Sequence, residues 1–306
     1  MTFLERIAQP RPILLDGATG TELARRAVDI GLPLWSAKAL LTAPHVLSQI
    51  HADYVRAGAE IITANTFRTH RRSLAKGGLG QRAQELTQSA VDLARAATRG
   101  GRNPGLTQGV LRGCFVAGSI APLEDSYSPE RTPPQAECER EHAEMAQTLA
   151  AAGVDLLLVE TMHTIREAVA ATQAACATGL PVLTHFVCRD DGRLFSGETV
   201  RAAVEAVAPL GVVGVGINCT PSTIIHKPFG ELRAAVRSFS NRNILIGLYA
   251  NIGKTEDIAG WTNTADVSPL EYARLAAKWL EHGAHLIGGC CGTTPAHIAA
   301  LRMVIG

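Results

Sequence analysis

The chain has 306 residues, of which 46% are hydrophobic, 19% charged and 5% aromatic, which is long enough for a large core and has the profile of a soluble α/β enzyme rather than a fibrous or disordered protein. A formal net charge of +1 sets up no field that would gather nucleic acid or an anionic membrane. The apolar runs are too short to span a bilayer, and Met1-Thr2-Phe3-Leu4-Glu5-Arg6 lacks the apolar core of a signal peptide, so a cytoplasmic location is expected. Seven cysteines without an export signal imply reduced thiols rather than a disulfide framework.

In chain order, short apolar runs that read as strands lie at Ile13–Asp16, Glu60–Asn65, Phe115–Ser119, Asp155–Glu160, Val182–Cys188, Val213–Cys219, Ile244–Tyr249 and His285–Cys290. Helical spacing fills Pro44–Ala57, Leu79–Thr98, Glu137–Ala152, Ile165–Thr178, Thr199–Leu210, Pro228–Phe239 and Pro269–His282, and a final amphipathic helix opens at Pro295. Gly58, Gly153, Gly211 and Gly283 each fall between a helix and the next strand, where a left-handed residue ends a helix. Eight such alternations predict a single (β/α)₈ TIM barrel domain over residues 1–306. A doubly wound sheet would place a phosphate-binding turn after the first strand, and Asp16-Gly17-Ala18-Thr19-Gly20 lacks the G-x-G-x-x-G spacing. The Pro/Gly-rich stretches Gly100–Gly109 and Ser126–Pro134 read as long surface loops, the second over the mouth of the barrel.

Active sites of this fold gather at the C-terminal ends of the strands. Those ends carry Asp16-Gly17, Asn65-Thr66-Phe67, Ser119, Glu160-Thr161, Cys188, Asn218-Cys219, Ala250-Asn251 and Cys290-Cys291. Cys219, Cys290 and Cys291 converge on one rim, and three thiolates with one open position make a catalytic zinc site. Such a site carries a net charge of −1. It can take a fourth, substrate thiol, lower its pKa and leave it nucleophilic. Cys114, Cys138 and Cys176 read as core or spacer residues, and Cys188, another strand end, is left open between the two roles.

Asp16-Gly17-Ala18-Thr19-Gly20-Thr21-Glu22-Leu23, Asn218-Cys219 and Gly288-Gly289-Cys290-Cys291-Gly292-Thr293 together resemble the homocysteine S-methyltransferase family, from residue 13 to about 298. The resemblance implies a zinc-dependent barrel that moves a methyl group from an onium donor or a methylated cofactor to homocysteine. It carries the zinc ligands onto Cys219, Cys290 and Cys291, and the grip on the amino-acid end of homocysteine onto Asp16, Gly17 and Glu160. Trp35 matches a tryptophan on the donor side, where an indole face favours a cation. His70 lies near a donor-contacting tyrosine of the betaine-using branch, and the difference speaks against betaine. Asn65, Thr66, Asn218 and Asn251 complete the expected substrate rim.

The resulting expectation is an in-line displacement in which homocysteine thiolate attacks a sulfonium methyl group to give methionine. S-methylmethionine is the favoured donor and S-adenosylmethionine the next, since the barrel takes nearly the whole chain and shows no adenosine-binding pattern. A betaine-like donor, or selenohomocysteine or another small thiol as acceptor, would use the same chemistry. Two other readings compete: a barrel hydrolase or lyase with Asp16 and Glu160 as acid and base, and a zinc or thiol redox sensor built on Cys290-Cys291. The partners expected are small molecules, and the oligomeric state is not legible.

Overall fold

The computed structural model describes residues 1–100, 114–239, 242–253, 255–256, 262–263 and 267–306. Period-two apolar runs form the barrel strands β1 (Ile13–Leu14), β2 (Ile61–Ala64), β3 (Phe115–Ile120), β4 (Leu156–Met162), β5 (Val182–Phe186), β6 (Gly214–Pro221) and β7 (Leu245–Asn251). A short antiparallel pair, β8 (Thr255–Glu256) and β9 (Thr262–Asn263), follows β7, and β10 (Leu286–Gly289) is the last barrel strand. The helices are α1 (Phe3–Ile7), α2 (Thr19–Arg25), α3 (Ala39–Thr42), α4 (Pro44–Ala57), α5 (Arg71–Ala75) and α6 (Ala83–Gly100). They continue with α7 (Gln135–Ala151), α8 (Ile165–Cys176), α9 (Val200–Val207), α10 (His226–Arg237), α11 (Pro269–Glu281) and α12 (Pro295–Ile305).

All eight barrel strands are parallel, in the order β1-β10-β7-β6-β5-β4-β3-β2. A parallel bridge between Leu15 and Ile61, with the Asp16 N–H on the Ile61 carbonyl at 3.0 Å, joins the two ends into a ring. Gly58, Gly153, Gly211 and Gly283 all have positive φ, as their place between helix and strand requires. Boundaries shift where the ladder gives way to the mouth. The first strand was expected over 13–16 and its ladder ends at Leu14, so Asp16 already belongs to the rim. The last was expected to include His285 and Cys290, and both lie just outside it. In contrast, β4 and β6 run on to Met162 and Pro221 through register shifts at Val159/Met162 and Asn218/Pro221. The stretch expected as a loop at 100–109 lies outside the described residues, except for Gly100 at the end of α6. Residues 126–134 are no free surface loop, since Ser126 and Thr132 are buried.

Alternation along the strands divides the core into two layers. Ile13, Leu15, Ile61, Phe115, Leu156, Leu158, Leu183 and Leu286 fill the barrel, while Leu14, Ile62, Val116, Leu157 and Val159 face the helices. Midway up the barrel His185 packs where Gly216 and Gly247 make room. A Cβ on Gly216 would fall 2.1 Å from the imidazole, and one on Gly247 2.3 Å from it. Burial pushes the His185 pKa down to about 3, so the ring is neutral, and it lies 4.9 Å from the ring of Tyr249.

The N-terminal end of the barrel is closed by α1. Its capping box pairs Thr2 with Glu5, and Phe3 meets Phe115 edge-on at 5.4 Å. Arg6 is fully buried: Nε and Nη2 bind the Glu60 carboxylate at 2.7 and 3.2 Å, and the remaining N–H groups donate to the Arg11 and Pro12 carbonyls. Among the described residues no helix is long and apolar enough to cross a membrane. Arg11 also binds the Glu60 carboxylate, at 2.8 Å, so Arg6→Ala leaves that acid partly compensated and is expected to cost about 2–3 kcal/mol of stability through the lost charge-assisted hydrogen bonds. Urea denaturation of variant and wild type checks this, and a loss below about 1 kcal/mol would show that Arg11 alone suffices to hold Glu60.

Candidate active site

The C-terminal mouth of the barrel opens into a cavity whose empty space, counted with the open solvent at its entrance, is about 910 Å³. Its wall is built by the ends of β1, β2, β3, β4, β6, β7 and β10 and by the segment around Trp35.

Asp16 leaves β1 buried, with one carboxylate oxygen accepting the Thr63 N–H at 2.8 Å and the other the Thr63 hydroxyl at 2.9 Å. Burial pushes its pKa up to about 8, the Thr63 bonds oppose that shift, and the nearby Glu160 charge adds to it. Glu160 on β4 accepts hydrogen bonds from Ser119 on β3 and, at 3.1 Å, from Tyr249 on β7. Burial raises its pKa to about 6 against those two bonds. Two buried carboxylates with raised pKa values in one cavity form a site for a cation, which would restore the charge of both. Gly17 follows Asp16 where no side chain fits, since a Cβ there would fall 2.8 Å from Tyr54 and 2.9 Å from Thr293.

Among the described residues, three of the four non-glycine residues with positive φ line this cavity: Trp35 (47°), Thr161 (62°) and Cys219 (49°). Each such conformation costs on the order of 1–3 kcal/mol and persists only where its surroundings enforce it. For Thr161 the enforcement comes from Asn218, whose Oδ1 accepts the Thr161 N–H at 2.9 Å and whose Nδ2 donates to the Thr161 hydroxyl at 2.8 Å. For Cys219 it comes from Asn251, whose Nδ2 donates to the Cys219 carbonyl at 2.9 Å. Oδ1 of the same Asn251 accepts the Cys291 N–H at 3.0 Å, so one amide spans both cysteine-bearing turns. Next to them the Thr293 hydroxyl closes the turn onto the Cys290 carbonyl at 2.7 Å, and a Cβ on Gly289 would fall 2.3 Å from that hydroxyl oxygen.

The sulfurs of Cys219, Cys290 and Cys291 all lie within 4.8 Å of one another, the one such gathering of three or more ligand side chains among the described residues. The sulfurs of Cys219 and Cys290 are drawn together on Cα atoms 5.5 Å apart. The cause is convergence: two strand ends aim both sulfurs at one point, where they can bond to each other or share an ion, but not both. The three-sulfur metal site is therefore the reduced form. Tetrahedral zinc with Zn–S bonds of about 2.3 Å holds its sulfurs about 3.8 Å apart, and a cluster confined within 4.8 Å fits that ion. The remaining cysteines stay outside the cavity. Burial pushes Cys114 and Cys138 up to about 12 and raises Cys176 and Cys188 as well, so none is a ready thiolate.

Of the residues expected at the substrate rim, Asp16, Gly17, Trp35, Asn65 and Glu160 line the cavity, and Asn65 donates to the Ser36 carbonyl at 2.8 Å to hold the Trp35 segment. Thr66, Asn218 and Asn251 point into the frame instead. Thr66 cross-links β2 to β3 through the Ser119 backbone at 2.9 and 3.0 Å. His70 lies apart from the cavity: its Nδ1 accepts the Ser73 N–H as the N-cap of α5, and burial holds it well below the usual histidine range. Ser119, Tyr249, Phe67, Arg68, Ser126 and Tyr127 also line the cavity, and none was singled out above as a binding residue. Position at a strand end is the signal that marks Ser119 and Tyr249.

The sequence profile described as Homocysteine S-methyltransferase matches residues 13–305. The chain belongs to the homocysteine S-methyltransferase family. A selenocysteine methyltransferase of Astragalus bisulcatus is 32% identical over 319 residues, covering 96% of this chain and 93% of that protein. Homocysteine S-methyltransferase 2 of Zea mays is 32% identical over 309 residues, covering 96% and 89%. The metallated form of the homocysteine methyltransferase MmuM from Escherichia coli superposes with a TM-score of 0.81 at 29% identity, covering 98% of each chain. The chemistry of this family member is therefore methyl transfer to homocysteine, a small-molecule thiol.

The raised carboxyl pKa has a measurable sign. Folding stability held by protonated Asp16 is full below about pH 4 and is lost as pH rises through about 8. Asp16→Asn is thus expected to stabilise the ligand-free protein at pH 8 by about 1–3 kcal/mol, with the gain shrinking toward pH 4. Denaturant unfolding across that range checks it, and a gain independent of pH would assign the effect to packing.

Proposed function

We propose that the protein transfers a methyl group from a sulfonium donor, S-methylmethionine in the first place, to the thiolate of homocysteine, with zinc held by Cys219, Cys290 and Cys291. What carries this reading is the meeting of the three sulfurs, the Asp16–Glu160 pair and Trp35 in one cavity. When bound, zinc would supply a Lewis acid that keeps a substrate thiol ionised at neutral pH. The chain's own groups supply the rest.

Asp16 and Glu160 take the ammonium of homocysteine, with Ser119 and Tyr249 holding Glu160 in place. That ammonium replaces the water both carboxylates have lost and brings their pKa values back down. The indole of Trp35, packed over Gly20 and edge-on to Phe67 at 5.5 Å, offers a face to the donor cation worth on the order of 1–2 kcal/mol. Sulfur attacks the methyl carbon in line; the new S–C bond forms as the donor S–C bond breaks, and its electron pair leaves on a neutral thioether. The thiol proton goes to solvent. No general acid is required, and the buried wall favours a step in which opposite charges cancel.

S-adenosylmethionine and betaine remain rival donors. A selenol acceptor is a second reading, favoured by the likeness to the Astragalus bisulcatus selenocysteine methyltransferase. We further propose that the barrel acts as one domain in the cytoplasm, where thiols stay reduced.

The test incubates reduced, zinc-loaded protein with homocysteine and, separately, S-methylmethionine, S-adenosylmethionine, betaine and methyltetrahydrofolate, and measures methionine. Turnover is expected with the first, and no methionine from any of the four would overturn the reading. Metal analysis gives a second check: wild type is expected to hold one zinc per chain, and Cys219→Ser to lose at least about tenfold in affinity and nearly all turnover. Equal zinc in both proteins would remove Cys219 from the site.

A further inference from the structure

Arg68 stands just past β2 on the wall of the cavity, only 9% exposed. A guanidinium so far out of water requires compensation. Arg6, the other deeply buried arginine among the described residues, has the Glu60 carboxylate. Arg68 donates from Nη1 to the Glu124 carbonyl at 3.0 Å, and its guanidinium carbon lies 5.5 Å from the centre of the Phe67 ring.

The nearest acids are committed elsewhere. The Glu124 carboxylate is paired with Arg72 and Lys76, and an Asp125 carboxylate oxygen accepts the Tyr127 N–H at 2.9 Å. Glu124 and Asp125 support the Arg68 charge from a distance, yet burial wins and lowers its pKa. Among the described residues no carboxylate lies within ion-pairing reach of it. Arg68 lines the cavity, and its guanidinium carries donors in a planar fork suited to a carboxylate.

The aromatic neighbours of Arg68 point to which substrate it would meet. Its guanidinium carbon stands 5.5 Å from the Phe67 ring, which in turn meets Trp35 edge-on at 5.5 Å, and β2 lies four places around the ring from β6. The acceptor end of the cavity already has Asp16 and Glu160 for its ammonium. A donor with its sulfonium over Trp35 and its methyl group toward the cysteines runs its far end toward β2.

We propose that Arg68 determines donor specificity by binding a carboxylate at the far end of the methyl donor, so that the donor is a zwitterion rather than a simple sulfonium. This rests on the methyl-transfer reading for the identity of the ligand, but not for its test. The probes are S-methylmethionine and its carboxamide, which keeps the sulfonium and lacks the negative charge. Each is titrated calorimetrically into reduced, zinc-loaded wild type, Arg68→Gln and Arg68→Lys.

Wild type is expected to bind the carboxylate at least about tenfold more tightly than the carboxamide, and Arg68→Gln to lose about 10- to 100-fold for the carboxylate alone. Arg68→Lys recovers part of that loss, because it keeps the charge without the fork. The KM for homocysteine stays within about threefold in both variants. Equal losses for both probes, or a loss confined to homocysteine, would overturn the assignment. If Arg68→Gln fails to fold, wild type decides by itself: a carboxylate-to-carboxamide ratio near one overturns the proposal. Absence of methionine from every donor would instead sink the methyl-transfer reading and leave the Arg68 assignment to the binding ratio.

Discussion

The amide of Asn251 ties the site together. It stands at the end of β7, between the two strands that carry the cysteines, donating to the Cys219 carbonyl and accepting the Cys291 N–H. Cys219 can thus hold a left-handed backbone, and the turn at Cys290-Cys291 can lie close against β7. Asn218 acts likewise one strand further on, locking Thr161 beside Glu160. Two buried asparagines convert a regular sheet edge into a rim of irregular residues, and the positions of the sulfurs and of Glu160 both depend on them.

The same rim concentrates cost. Asp16 and Glu160 are carboxylates kept from water with no cation among the described residues beside them, and Arg68 is a cation kept from its counterion. Buried acids and a buried cation that do not meet are tolerated only because the surrounding barrel is well packed. They also make the cavity complementary to zwitterions: an ammonium at Asp16 and Glu160 and a carboxylate at Arg68 each regain what burial has taken. The ligands of the proposed cofactor end β6 and β10 and include none of these groups, so the electrostatic grip on the substrates is separate from the activation of sulfur.

Much of this was legible in the sequence, and the limit has a physical origin. Glycines ending helices and period-two apolar runs mark the barrel, because helix termination and strand alternation are local. Cys219, Cys290 and Cys291 are legible because strand ends share one rim whatever their sequence separation. The direction in which a strand-end residue points is not local. Register shifts in β4 and β6 break the alternation just where the functional residues stand. Asn218 and Asn251 therefore read as substrate contacts when they are struts, Thr66 faces β3, and His70 is spent on capping α5. Arg68 escaped notice for the converse reason: an arginine after a strand reads as an ordinary surface charge, and only the tertiary fold reveals that it is buried without a carboxylate partner among the described residues.

The imidazole of His185, lodged between Gly216 and Gly247 inside the barrel, couples three positions from three strands into one unit of volume. Neither glycine has room to grow while the ring remains, and shrinking the ring would leave a hollow beneath Tyr249. The three positions therefore act as one steric unit, and the depth of the cavity floor, and with it the height at which Tyr249 meets Glu160, is set by all three together.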